Sequence, residues 1–361
     1  MSAEPLAPGG VVGILGGGQL GRMLAIACAR LGLHAHVYDP AEAPPATEVA
    51  RFHTRAAFED EAALARFADA VDVATFEFEN VPAATAEALA ARTLLRPNAR
   101  AFAVAQDRVE EKRFVEGLGL AVAPWAAVDT EADVAAALAA TGTPAILKTR
   151  RLGYDGKGQA RLDAPGDAAS AWAAVGAAPS VLEARVAFAA ELSVIVARGA
   201  DGAVAAYDPG LNEHEGGILR RTTVPSGLPA RVRQDAVLAA GRIASALDYV
   251  GVMGVEFFLG PGGRLLVNEI APRVHNSGHW TIEACATDQF GQHVRAVAGW
   301  PLADARRHAD AVMENLIGAE VHDWARLAAE PGVGLHLYAK GEARPGRKMG
   351  HVTRLRPAGA R

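Results

Sequence analysis

The apolar run Val11-Val12-Gly13-Ile14-Leu15 passes directly into Gly16-Gly17-Gly18-Gln19-Leu20-Gly21. An unbroken apolar run of this length predicts a strand buried on both faces, the mark of a parallel sheet covered by helices. The glycines permit a tight turn into a helix from roughly Leu20 to Leu31. A second strand, Ala35 to Tyr38, then ends on Asp39. This order opens a Rossmann-like, doubly wound α/β sheet, with backbone N–H groups aimed at an anion. Alone, the G-x-G-x-x-G pattern would place a nicotinamide dinucleotide here with Asp39 on its ribose, although the same fold serves many ligands. Gln19 offers a side-chain amide to whatever occupies the turn. A later strand, Asp72 to Phe78, runs into Glu77-Phe78-Glu79-Asn80, and alternation puts Glu77 and Glu79 on one face near its carboxyl end.

The densest polar stretch lies far downstream, from Asn268-Glu269 through Arg273, His275 and Asn276 to His279-Trp280. A strand, Gly263 to Val267, leads into it, and a second strand carries Glu256. If the two pair antiparallel, Glu256 and Glu269 face each other across the ladder. Two carboxylates beside the amide oxygen of Asn268 make a hard oxygen site of the kind that holds Mg²⁺ while leaving room for phosphate. A solvated polar loop is the competing interpretation.

Between these ends, a helix from Gln106 to Leu118 carries Arg108, and Pro124 begins a new segment. The strand Pro144 to Lys148 ends on a lysine and is followed by Gly153-Tyr154-Asp155-Gly156-Lys157-Gly158-Gln159. Such a loop can close over phosphates, with Lys148 and Lys157 supplying charge. It lacks the Walker A pattern, and a solvated hairpin tip is the alternative. Glu183-Ala184-Arg185-Val186 reads as a strand edge able to bond an adenine through its backbone, and Glu191 is placed to take ribose hydroxyls. Residues 209–221 form a polar segment with Asn212 and His214. A helix is expected over Gln234 to Leu247 and another over Thr281 to Ala298, with His293 in a structural role.

The chain has 361 residues, enough for two or three domains, with 50% hydrophobic and 21% charged residues. A net charge of −5 gives no reason to expect nucleic acid binding. The two cysteines, Cys28 and Cys285, suggest no disulfide framework, so a reducing cytoplasm is expected. No apolar run reaches membrane-spanning length.

The lysine at a strand end, the glycine-rich loop, Glu183, and Glu256 with Asn268-Glu269 resemble the ATP-grasp superfamily. Gly16 to Met23, Gly153 to Gln159, Asn268 to Trp280 and Arg344 to His351 together resemble its N5-carboxyaminoimidazole ribonucleotide synthetase family, from Val11 to about Val352. The resemblance implies three parts: a Rossmann-like parallel-sheet domain (1–105), an ATP-grasp lid domain (106–186) and a C-terminal mixed-sheet domain (187–361). It implies ATP on Arg108, Lys148, Gly153 to Gln159, Glu183 to Val186, Glu191, His214, Asn268 and Glu269, and Mg²⁺ on Glu256 and Glu269. It implies aminoimidazole ribonucleotide near Gln19, Leu20, Glu77, Tyr154, Arg273, Lys340, Arg347 and Lys348. Asp155, Lys157, Arg273, His275 and Asn276 become the catalytic candidates, bicarbonate the second small substrate, and a homodimer the expected assembly. Lys157 stands where the family also uses arginine, and the chain stops soon after His351, where relatives continue into a last helix. Another ATP-grasp ligase, a nicotinamide-dependent oxidoreductase and a non-catalytic nucleotide sensor remain as other readings.

Overall fold

The computed structural model describes residues 4–153 and 157–359, so Tyr154, Asp155 and Gly156 lie outside the described residues. Val11–Leu15 is the centre of a five-stranded sheet, flanked by His34–Tyr38 and Phe52–Thr54 on one side and by Val73–Phe76 and Leu94–Leu95 on the other. All four pairings are parallel, as the continuous apolar runs require. The helix Gln19–Arg30 buries Leu20, Met23, Leu24, Ala27 and Cys28 against this sheet and against the helix Gln289–Val297, which rests on the large sheet beyond. His293 joins the two: its Nε2 meets Thr75 Oγ1 at 2.8 Å and its Nδ1 accepts from Val252 N at 3.0 Å. Its structural role is thereby explained.

The second sheet has four antiparallel strands in the order Trp125–Val128, Ser180–Ala184, Ala145–Thr149, Gln159–Leu162. Its core, around Val134, Leu138, Leu147, Leu162, Trp172 and Leu182, is separate from the others. The helix Arg108–Gly117 instead packs through Val115 on the large sheet.

That large sheet has nine strands among the described residues. From one edge they run Leu265–Ala271, Gly251–Leu259, Ala190–Arg198, Gly210–Glu215, Ile218–Val224, Ala309–Ile317, Lys348–Pro357 and Val333–Leu337. Val204–Ala206 pairs beside Ala190–Arg198. Every pairing is antiparallel. The polar segment 209–221 lies within a hairpin of this sheet. Gly216 and Gly217 adopt φ of 58° and 82°, the left-handed pair that a two-residue hairpin turn needs.

The helix expected over Thr281 to Ala298 is broken into Thr281–Ala284 and Gln289–Val297. Asp288 causes the restart, since its carboxylate caps the second helix by accepting from Phe290 N and Gly291 N. The stretch after His351 continues as an interior strand, paired on both sides through Arg354. No helix among the described residues is long and apolar enough to cross a membrane.

Candidate active site

Glu256 and Glu269 are register partners on the two strands at one edge of the large sheet. The next pair along is Phe257 with Val267, so Asn268 is an extra residue, a β-bulge. Its consequence follows from strand periodicity. Residues two apart share a face, so without the bulge Glu269 would follow Val267 onto the apolar face. The inserted residue turns it to the other face, opposite Glu256. Burial first, and then the charge of Glu269, push Glu256 up to about 7, although His214 works against this. Two carboxylates forced together in this way, with an amide oxygen adjacent, suit a hard divalent cation.

Charged groups converge on the pair. Arg108 Nη1 lies 3.6 Å from Glu269 Oε2, and its Nη2 reaches the carbonyl of Gly153 at 3.3 Å. His275 Nε2 lies 3.6 Å from Glu256 Oε1. Ser193 Oγ donates to Ser277 Oγ, whose hydroxyl meets His275 Nδ1 at 2.8 Å. The ring proton then sits on Nε2, facing the carboxylate. Burial and the Arg273 charge hold His275 far below the usual histidine range, so it meets Glu256 as a neutral ring. On the neighbouring strand Glu191 is hydrogen-bonded to His214 Nδ1. Burial opposes charge on His214, but this bond and then Glu256 raise its pKa.

Beside the pair opens a cleft of about 430 Å³, lined by Lys148, Glu183, Ala184, Arg185, Val186 and Phe258. The strand Ser180–Ala184 is not an edge as expected; it is paired on both sides. Ala184 N and Arg185 N are also spent, on the carbonyls of Pro124 and Pro144. The N–H groups that could meet a base therefore come later, near Val186, where Phe188 stacks on Phe258 with ring centroids 4.7 Å apart. Thr149 N donates to Gly158 O at 2.9 Å and Lys148 faces Gln159 in register, so the strands on either side of the glycine-rich stretch pair as a hairpin.

Glu183 is buried between Lys148 Nζ at 3.0 Å and Lys112 Nζ at 3.2 Å. Burial alone would raise its pKa, but the two ammonium groups outweigh it and hold the carboxyl at about 2. A depressed carboxylate stabilises the fold above its unfolded pKa, and the effect fades as pH falls towards the folded value. Here that window runs from 4.5 down to about 2 and is worth about 3 kcal/mol. Glu183→Gln leaves two lysines in the interior without their counter-charge, so urea unfolding at pH 7 is expected to register a loss of about 3–5 kcal/mol. The gap from the parent chain is expected to narrow near pH 3. A difference that stays constant with pH would refute the assignment.

A second cleft, of about 580 Å³, lies between the first glycine turn and the C-terminal basic turn. Gly18, Asp39, Glu77, Lys340 and Arg347 are among its walls. The dinucleotide reading fails here. Gly17 N donates to Asp39 Oδ2 at 2.7 Å, and Gly18 N and Gly21 N donate to the two oxygens of Glu77 at 2.9 and 3.0 Å. The amides that would hold a pyrophosphate are filled by the chain's own carboxylates. Glu77 is thus a brace for the turn before it is a ligand group. The strand ends at Phe76, so alternation does not extend to Glu79, which pairs instead with Arg273 Nε at 2.7 Å. Leu20 packs into the core and can offer only its backbone. Gln19 Oε1 accepts from Lys340 Nζ. Asn276, expected to be catalytic, spends both ends of its amide on Asn315, at 2.9 and 2.7 Å, and is buried.

Two residues in the site escaped the sequence reading. Lys112 lies four residues after Arg108, on the same helical face, and that spacing was a usable signal. Glu111 accepts from Ile270 N at 2.6 Å and so pins the outer edge of the strand carrying Glu269. Nothing local in the sequence announces that contact.

Three family models match in succession. They are the ribonucleotide synthetase preATP-grasp domain over residues 10–106, the ATP-grasp domain over 113–290, and the phosphoribosylaminoimidazole carboxylase C-terminal domain over 311–360. N5-carboxyaminoimidazole ribonucleotide synthase of Brucella melitensis is 50% identical, covering 99% of each chain. The Pseudomonas aeruginosa protein of that name is 45% identical over 95% of this chain and 93% of its own. The N5-carboxyaminoimidazole ribonucleotide synthetase structure from Thermus thermophilus superposes with a TM-score of 0.89 at 44% identity, covering 96% of this chain and 93% of that one. An Aspergillus clavatus N5-carboxyaminoimidazole synthase in complex with ADP and 5-aminoimidazole ribonucleotide superposes with a TM-score of 0.91 at 31% identity, covering 97% and 94%. With the carboxylate pair, the lysine-flanked cleft and the basic turn all in place, the chain belongs to the N5-carboxyaminoimidazole ribonucleotide synthetase family of ATP-grasp ligases.

Proposed function

We propose that the protein carboxylates 5-aminoimidazole ribonucleotide to N5-carboxyaminoimidazole ribonucleotide in purine biosynthesis, using ATP and bicarbonate. The observation that carries this reading is the position of the Glu256–Glu269 pair. Arg108 reaches it from the nucleotide side, and the charges of Arg273 and Lys348 act on it from the side of the basic cleft. A phosphoryl group and its acceptor would therefore meet there.

In this reading the backbone near Val186 and the stacked Phe188 and Phe258 receive the adenine, and Glu191 the ribose. Lys148, Arg108 and the Gly153 to Gln159 loop, with Lys157, hold the phosphates. Glu256 and Glu269, with Asn268 beside them, fit Mg²⁺, which when bound neutralises phosphate charge. A bicarbonate oxygen attacks the γ-phosphorus and ADP leaves, giving carboxyphosphate. The exocyclic amine of the ribonucleotide then attacks the carboxyl carbon, or the CO₂ released from it. Phosphate departs and the amine gives up a proton. Phosphorylation is what makes the step possible, because bicarbonate is a poor electrophile. Arg108 and Lys148 are charged and fixed before reaction, so they stabilise developing negative charge without reorganising. Gln19, Arg273, Lys340, Arg347 and Lys348 receive the ribonucleotide, and Tyr154 and Asp155 join them as candidates on the sequence resemblance alone. The sequence-based expectations of a homodimer and a cytoplasmic location complete the reading.

The decisive measurement is phosphate release from ATP with bicarbonate, with and without 5-aminoimidazole ribonucleotide. Release that depends on the ribonucleotide, with an acid-labile carbamate as product, is expected. Turnover indifferent to the ribonucleotide would overturn the reading.

A further inference from the structure

The residues that close the ribonucleotide cleft rest on a partly buried polar cluster. His336 and His351 are opposite each other on the strands Val333–Leu337 and Lys348–Pro357, and their rings stack 4.5 Å apart. Glu283, from the short helix Thr281–Ala284, reaches His336 Nε2 at 2.5 Å. Its side chain lies over Gly334, where an added Cβ would come within 2.4 Å of Glu283 Cδ. Only glycine admits the carboxylate at that point of the strand. His351 Nδ1 in turn meets the hydroxyl of Tyr338 at 2.7 Å. The ammonium of Lys340 sits 5.5 Å from the centre of the Tyr338 ring and donates to Gln19. Tyr338 N also donates to Met349 O, next to Lys348. An unbroken line of contacts thus leads from a helix in the core to the wall of the cleft.

Glu283, His336 and His351 present ligand atoms within 4.8 Å of one another, a spacing that invites a metal. The ring geometry argues otherwise. The two imidazoles lie within 10° of parallel, so their in-plane lone pairs run side by side instead of converging on one ion. Hydrogen bonding is the better account of the cluster. Both histidines are tied to a fixed oxygen, one on the helix and one on the basic segment, and the stack transmits that position across the two strands.

We propose that Glu283, His336, His351 and Tyr338 are positioning residues for the second substrate, acting through Lys340 and Lys348. The inference rests on the ribonucleotide site assigned above. None of the four touches the nucleotide cleft around Lys148 and Glu183. Loosening the cluster therefore displaces the basic segment while leaving the ATP groups in place.

Steady-state kinetics with each substrate varied in turn provides the test, with Arg347→Ala measured alongside. Glu283→Ala is expected to raise KM for 5-aminoimidazole ribonucleotide about tenfold and leave KM for ATP within about twofold. Glu283→Gln keeps an oxygen facing His336 and is expected to recover most of the loss. Tyr338→Phe, which removes one hydroxyl, is expected to raise the same KM about threefold. If Glu283→Ala lowers only the melting temperature, or moves both KM values together, the proposal is overturned. If Arg347→Ala raises the ribonucleotide KM while the Glu283 and Tyr338 variants do not, the cluster alone is refuted and the site stands. If Arg347→Ala is also without effect, the site assignment has failed and the cluster proposal falls with it. Should Glu283→Ala fail to fold, Tyr338→Phe decides alone.

Discussion

Glu269→Gln is expected to lower kcat by about two to three orders of magnitude at saturating ATP, the scale of losing one preorganised charge contact in a phosphoryl transfer. The substitution keeps the size and leaves the bulge at Asn268 intact, so the loss falls on charge alone. Glu269 faces Glu256 in register and lies 3.6 Å from Arg108, so its charge serves both a cation and the group that binds phosphate. Raising Mg²⁺ is expected to recover only part of the activity, because the remaining carboxylate supplies one oxygen ligand set where two are needed. Near-normal turnover at high Mg²⁺ would sink the assignment of this pair.

Arg347→Ala gives the second large effect. Arg347 lines the wider cleft, with Lys340 on the same wall, and its Nη1 donates to the carbonyl of Glu342 at 3.1 Å. Loss of one charged hydrogen bond to a phosphate costs roughly 1.5–3 kcal/mol, which is about a ten- to hundredfold rise in KM for the ribonucleotide. KM for ATP is expected to stay put, because that nucleotide is held in the cleft around Lys148. The comparison needs fixed salt, since a screened surface charge also shifts binding slightly. Parallel changes in both constants would mean that the cluster does not select the second substrate.

The groups legible in the sequence were those whose chemistry is local. Lys148 at a strand end, the glycine loop after it and the two acids on neighbouring strands all announce themselves within a few residues. The parallel opening sheet was legible for the same reason, since a fully apolar run admits few other fates. What stayed hidden depends on partners distant in the chain. Glu77 fills a turn 56 to 59 residues earlier, and Glu111 caps a strand 159 residues later. Asn276 looked reactive as a polar residue in a polar run, yet its amide is consumed 39 residues away. Asp288 gave a local signal for a helix start, but the apolar stripe on either side masked it.

The extra residue at Asn268 makes the site sensitive to arithmetic as well as to chemistry. Deleting that single residue removes no charge, yet it shortens the strand by one step and restores plain alternation. Glu269 would then follow Val267 directly and still fall on the face of Glu256, so the acidic pair would survive while the amide of Asn268 and the local bend were lost. The count of residues along this edge thus sets how many oxygen donors are on offer, and the two acids keep their shared face. In any relative to which this chain is aligned, a gap at this position removes one oxygen donor and leaves the acidic pair facing.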